Sequence, residues 1–324
     1  MKTLLSALLL VAGLFGGIET VSADAPHSSW SYEFPKTDFS QTSIDYSEIL
    51  SGGPPRDGIP AINDPKFVNI SEINDLSDTD PVIGIIVNGV AKAYPLRILI
   101  WHEIVNDTIG DVPVAVTYCP LCNSSIVFDR RIAGRVLTFG TTGRLRKSDL
   151  VMYDRETETW WQQFLGEGIV GELTGTRLKA LPARLESFAN FKARAPEGQV
   201  LVPNGRFHRN YGQNPYVHYD MQNAPYALFQ GDLPDYINPM ARVVVVDDKA
   251  WSLELIREKG TLKDGPITLN WSSGQNSALH TSEISEGRDV GNVTVTKGGE
   301  DAVYDVTFAF VYNAFRPDQR IRTE

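Results

Sequence analysis

Cysteine is nearly absent: 324 residues carry two, Cys119 and Cys122. A multi-bridge disulfide scaffold and a four-thiolate metal site within one chain are therefore excluded. Positive charge is also in short supply. Thirty Lys and Arg stand against 40 Asp and Glu, a net −10, which argues against nucleic acid or an anionic membrane surface as partner. Beyond the first residues no apolar run is long enough to cross a bilayer. G-x-S-x-G, P-loop and G-x-G-x-x-G motifs are missing too, so the commonest hydrolase, nucleotide and dinucleotide signatures do not apply. His102-Glu103-Ile104-Val105-Asn106 opens like the zinc-protease helix motif, but Asn106 stands where the second histidine belongs.

What is present begins with an export signal. Lys2 precedes an apolar run from Leu4 to Phe15, and Val21-Ser22-Ala23 supplies small residues for cleavage. Residues 1–23 read as a signal peptide and the mature chain as periplasmic or secreted. A hydrophobic fraction of 42% with six Trp predicts a packed core rather than disorder. Residues 24–45 read as an N-terminal arm. Residues 46–235 read as the main β-rich domain, and 236–324 as a C-terminal β-rich unit packed on it. The expected class is α+β and β-dominated, with mixed and antiparallel sheets and a few short helices.

The element signals are local. Val82–Val87 and Ala91–Tyr94 flank Asn88-Gly89, a hairpin turn. Pro95 opens a short helix running to about His102. Residues 103–106 and 112–118 read as a second hairpin around the turn 107–111, with Asp107 facing Val112. That register brings His102 level with Thr117, on the face that carries Cys119. Ser124–Phe128 and Arg135–Phe139 read as a further hairpin, Leu150–Asp154 and Trp160–Phe164 as strands, and 184–195 as a helix with Phe188 and Phe191 inward. Two short echoes fit either a weak internal duplication or chance similarity of two β-meanders. Lys92-Ala93-Tyr94-Pro95-Leu96 is echoed by Lys249-Ala250-Trp251-Ser252-Leu253, and residues 112–118 by 265–271. In the second copy Ser272-Ser273-Gly274 replaces the cysteine segment.

Cys119-Pro120-Leu121-Cys122 is the principal chemical signal. Two residues between cysteines put both sulfurs within reach of each other or of one metal ion. A disulfide here would close a very small ring and stabilise little through loop entropy. The remaining readings are a thiol redox centre and a soft-metal site, with copper or zinc as the candidate ion. His102 is the expected third ligand or base, and Glu103 and Met152 are further candidates. A thioredoxin-like arrangement is disfavoured because a strand, not a helix, follows the pair. Attachment of haem c needs His where Asn123 stands.

Two other readings remain open. Residues 204–226, rich in Asn and Tyr, can line a groove for a polar small molecule, with the cysteines as a local disulfide, or can form a surface wrap. Asp149 and Asp154, with His218, can serve a hydrolase or transferase. The Pro- and Gly-rich loop 51–60 can line a site through Arg56 and Asp57. No partner is named by the sequence beyond a small molecule or a redox protein.

Several unusual strings recur in order. They are Gly52-Gly53-Pro54-Pro55-Arg56-Asp57-Gly58-Ile59-Pro60, Ala93-Tyr94-Pro95-Leu96, His102-Glu103-Ile104-Val105-Asn106-Asp107, Tyr118-Cys119-Pro120-Leu121-Cys122 and Ser148-Asp149-Leu150-Val151-Met152-Tyr153-Asp154-Arg155. With Gly166–Gly175 they make the chain resemble, over about residues 46–235, the exported bacterial and archaeal proteins grouped as domain of unknown function 3179. Phe188 and Phe191 stand where that pattern leads one to expect Trp. The resemblance implies one site formed by His102, Glu103, Asn106, Cys119 and Cys122, and implies no activity.

Overall fold

The computed structural model describes residues 25–324; the expected signal peptide, residues 1–23, lies outside them. Helix α1 (Trp30–Glu33) and strands β1 (Ile49–Ser51) and β2 (Lys66–Asn69) precede the hairpin β3 (Pro81–Val87) and β4 (Val90–Pro95). Then come α2 (Leu96–His102), β5 (Ile104–Ile109), β6 (Val112–Cys119) and β7 (Ser124–Asp129). A small hairpin, β8 (Arg131–Ile132) and β9 (Arg135–Val136), leads into β10 (Phe139–Arg146), β11 (Asp149–Asp154), β12 (Trp160–Gln162) and β13 (Glu167–Val170). Strands β14 (Lys179–Leu181) and β15 (Ala183–Ser187), helix α3 (Phe188–Arg194) and β16 (Gln199–Val202) complete the first half. After an irregular stretch come β17 (Arg242–Val246), β18 (Lys249–Ser252), α4 (Leu253–Lys259), β19 (Thr261–Asp264), β20 (Ile267–Ser272), β21 (Asn292–Lys297), β22 (Glu300–Asp301), β23 (Asp305–Phe308) and α5 (Ala309–Phe315). The class is β-dominated α+β, as expected from sequence.

The second half repeats the first. Sheet order β15-β3-β4 matches β23-β17-β18, and β5-β6-β7 matches β19-β20-β21. A parallel partner lies on β4 (β16) and on β18 (Trp251 with Arg322). The halves meet reciprocally, β7 against β23 and β15 against β21. The five-stranded sheet β1-β10-β11-β12-β13, whose last four strands follow β7, and the small hairpin β8-β9 have no counterpart. The sheet packs its own core of Tyr153, Trp160 and Val151 against Phe34 and Ile44 of the arm and Tyr46 just after it.

Local chemistry accounts for the joints and for three corrections. Asn88 and Gly89 adopt φ of 49° and 80°, closing β3 on β4 with Val87 opposite Val90. The second hairpin turns at Gly110-Asp111 (φ 50° and 67°), so Ile109, not Asp107, faces Val112. A two-residue turn with both φ positive matches the twist of its strands, and this outweighs the longer loop expected at 107–111. The expected pairing of 124–128 with 135–139 does not form. β7 lies between β6 and β14, while Phe139 starts a strand of the inserted sheet. The helix expected over 184–195 starts only at Phe188. Ser187 caps it by accepting the amide of Asn190, and residues 183–187 pair with β3. Phe188 and Phe191 are buried as anticipated.

Candidate metal centre

The thiols sit where β6 turns into β7. Cys119 pairs across the ladder with Ser124, and residues 120–123 make the turn. Pro120 suits an early turn position because its φ is fixed. The Cys122 amide donates to Cys119 O (3.2 Å) and the Asn123 amide to Pro120 O (3.1 Å). Asn123 takes φ 52°, which its short polar side chain tolerates. Both cysteines are buried, at 2% and 0% exposure, although a turn between two strands is ordinarily a surface feature. The reason is the second half of the chain. Cys122 O accepts from Phe308 N (3.1 Å) and Thr307 Oγ1 (2.8 Å). Asn123 Nδ2 donates to Val306 O (2.8 Å), and the Tyr219 hydroxyl to Leu121 O (3.0 Å).

The inserted sheet supplies the opposite wall. β10 and β11 are joined by Lys147-Ser148, with φ 54° and 64° and no glycine. Such a turn ordinarily takes Asn-Gly, so two L-residues hold a strained backbone here, a feature that collects at functional sites. The turn brings the Ser148 carbonyl oxygen to 3.8 Å from Cys119 Sγ and 3.5 Å from Cys122 Sγ. It also presents Asp149, whose carboxylate lies with both sulfurs in a group of ligand atoms all within 4.8 Å of one another. Asp149 Oδ2 accepts from Gln162 Nε2 (2.5 Å) and Phe164 N (2.9 Å), while no N–H or O–H group donates to Oδ1.

The surroundings are acidic throughout. Burial raises Asp149 to about 6 despite the hydrogen bonds from Phe164, Gln162 and the thiols of Cys122 and Cys119. Burial raises Cys119, and raises Cys122 still further, with the Asp149 carboxylate adding to both. Glu103 is pushed up to about 8, first by burial and then by Asp149. Asp305, on β23, is raised to about 6 for the same reasons. None of these groups is in an ion pair among the described residues. Two sulfurs and a carboxylate oxygen therefore converge, with the Ser148 carbonyl oxygen against both sulfurs, and no cationic side chain pairs with them among the described residues. Such a set suits a borderline divalent ion in tetrahedral coordination.

His102 does not join this group. Glu103 caps α2 at φ 57°, ψ −31°, which breaks the β5 ladder before it reaches residue 102 and turns the imidazole away. Its Nδ1 contacts Pro60 O (2.7 Å) and its Nε2 the Tyr211 hydroxyl (2.8 Å), with Phe207 against the ring. Both nitrogens are spent, and burial lowers the pKa. Met152 lies on the opposite face of β11 from Asp149, since strand side chains alternate. Asn106 is consumed by Phe139 N and O and by Asn63, tying β5 to β10. Arg56 and Asp57 belong to another cluster. Arg56 stacks on Phe34 and Tyr153 and pairs with Glu158, while Asp57 takes Arg155 on both oxygens.

Asp154 does not pair with Asp149. It stands at the far end of β11, about 17 Å away at strand rise, and accepts from Thr157 and Trp161 Nε1. His218 lies beside His280. The Asn/Tyr segment is a wrap: Asn214 bonds to Thr281 and Ser282, and Trp101 Nε1 donates to Gln213 O. Of the residues singled out from sequence, Cys119, Cys122 and Asp149 thus come together, with Glu103 close enough to be raised by Asp149 and to raise Cys119. The Ser148 carbonyl was missed. Its signal was a hairpin turn without glycine or asparagine directly before Asp149.

The family model described as a protein of unknown function, DUF3179, matches residues 56–319. The chain belongs to that family, and the match runs past residue 235 through the repeated second half. No curated protein and no solved structure matches the chain.

Proposed function

We propose that this is an exported metal-binding protein whose Cys119, Cys122, Asp149 and Ser148 carbonyl hold one thiophilic divalent cation, zinc in the first instance. The observation that carries the reading is the convergence of two sulfurs and a carboxylate oxygen within 4.8 Å of one another. The strained turn beside Asp149 supports it. A bound cation lowers the pKa of coordinating thiols and carboxylates, so it offsets the mutual repulsion and burial that raise these groups. Two hard oxygen donors favour zinc over copper(I), which prefers sulfur and imidazole. A thiol oxidoreductase is the weaker reading. Exchange needs an exposed thiolate in line with a partner disulfide, whereas here burial and neighbouring carboxylates raise both thiols.

The test is metal analysis of protein purified without chelator. One zinc per chain is expected, lost in Cys119→Ser/Cys122→Ser and reduced at least tenfold in affinity in Asp149→Asn. Metal-free wild type that resists reloading, with a reversible Cys119–Cys122 disulfide, would contradict the reading.

A further inference from the structure

The two joints between the halves differ in one ion pair. Where β15 meets β21, Arg184 of β15 pairs with Asp301 of β22. Where β7 meets β23, the ladders identify the matching residues. Lys179 of β14 stands opposite Asp129 and Glu300 of β22 opposite Lys297, the last residues of β7 and β21. Ala180 therefore takes the place of Asp301. Ser187 and Phe308 directly precede the helices α3 and α5, and three residues before them stand Arg184 and Asp305. An ion pair that spans one joint is thus replaced at the other by an alanine and an acid. The second joint holds a cleft of about 270 Å³, lined by both residues.

The cleft is mostly apolar, with Phe128, Phe164, Leu178 and Val245 among its walls. Four charged residues also line it, and three of them have partners. Arg177 pairs with Glu167, Arg316 with Asp248, and Asp247 with Lys297. Asp305 is buried, and no Lys, Arg or His pairs with it among the described residues. Three cations are therefore set against four carboxylates, and the unmatched charge is the buried one. Asp305 Oδ1 accepts the Ser125 amide (2.8 Å), which ties β23 to β7. Asparagine would make the same tie without a buried carboxyl whose ionised form is costly out of water. Burial accordingly raises this group to about 6.

We infer that this cleft binds a small amphipathic organic cation, its ammonium headgroup on Asp305 where the other joint has a guanidinium, and its apolar body on Phe128, Phe164 and Leu178. A hydrogen bond between ionised partners is stronger than a neutral one, and an apolar cleft with one placed polar group is the usual form of a small-molecule site. The inference is independent of a metal at the thiol centre.

Full-length mature protein titrated at pH 7.5 with benzylamine, benzyl alcohol, methylammonium and benzoate, followed by calorimetry or NMR shifts, tests it. Benzylamine is expected to bind. Benzyl alcohol, which lacks the charge, and methylammonium, which lacks the apolar body, should each bind at least tenfold more weakly, and benzoate not at all. Asp305→Asn, which keeps an acceptor for the Ser125 amide, should weaken benzylamine at least tenfold with an unchanged circular dichroism spectrum. Ala180→Leu, which fills the cleft and leaves the carboxylate in place, should do the same. No binding of benzylamine at about 10 mM, benzyl alcohol, methylammonium or benzoate binding as tightly, or benzylamine affinity unchanged in either folded variant would overturn it.

Discussion

Glu103 shows how far a single residue departs from what the fold alone requires. Its carboxyl is buried and raised to about 8 from an ordinary 4.5, and Asp149 to about 6 from 3.8. An acid whose folded pKa lies above its unfolded one stabilises the fold most at low pH. That contribution is lost as pH rises through the folded value. Metal-free protein should therefore lose stability between about pH 4 and pH 8. Glu103→Gln should flatten the upper part of that slope, above about pH 6. Denaturant midpoints measured across this range in chelator check it. A midpoint that rises with pH through the same window would refute the assignment of buried, unpaired acids. Zinc should reverse the loss most strongly at the alkaline end, where thiol and carboxyl protons compete least.

At the scale of elements, the comparison is between two copies of the same helix end. α2 closes on Glu103 at φ 57°, and α4 closes on Gly260 at φ 68°. Glycine is the residue suited to that backbone, and an L-residue there costs about 1 kcal/mol or more. Glu103→Gly should accordingly raise the thermal midpoint of the metal-free protein, by an amount equivalent to about 1 kcal/mol or more, because it relieves the strain and removes a buried acid. A lower midpoint would mean that the carboxylate makes a stabilising contact instead. The Lys147-Ser148 turn follows the same logic, with strained L-residues where a hairpin alone would use glycine. Both departures lie at the thiol centre, and the second half, which lacks the thiols, has glycine at the helix end.

Taken whole, the molecule was legible in its local signals and opaque in its long-range ones. Asn88-Gly89 and the Pro95 helix start are written in adjacent residues, and both form where expected. The duplication was also visible as two short echoes, because the same β-hairpin and helix start need the same residue types. The partner of Cys119 and Cys122 was not visible. Asp149 arrives from a sheet inserted after β7, and the burial of the knuckle is imposed by Thr307 and Phe308 from the far end of the chain. His102 was misplaced for a more local reason. One positive φ at Glu103 ended the ladder that would have carried the imidazole to the sulfurs, and no residue type announces such a φ at a glutamate.

The most direct measurement is X-ray absorption at the zinc edge on protein loaded with one equivalent, in wild type and in His102→Gln. The account predicts two sulfurs at about 2.3 Å and oxygens at about 2.0–2.2 Å, with no imidazole scattering and the same spectrum in the variant. A shell with a histidine ring or a single sulfur, or a chain that takes up no zinc while its thiols are reduced, would contradict it.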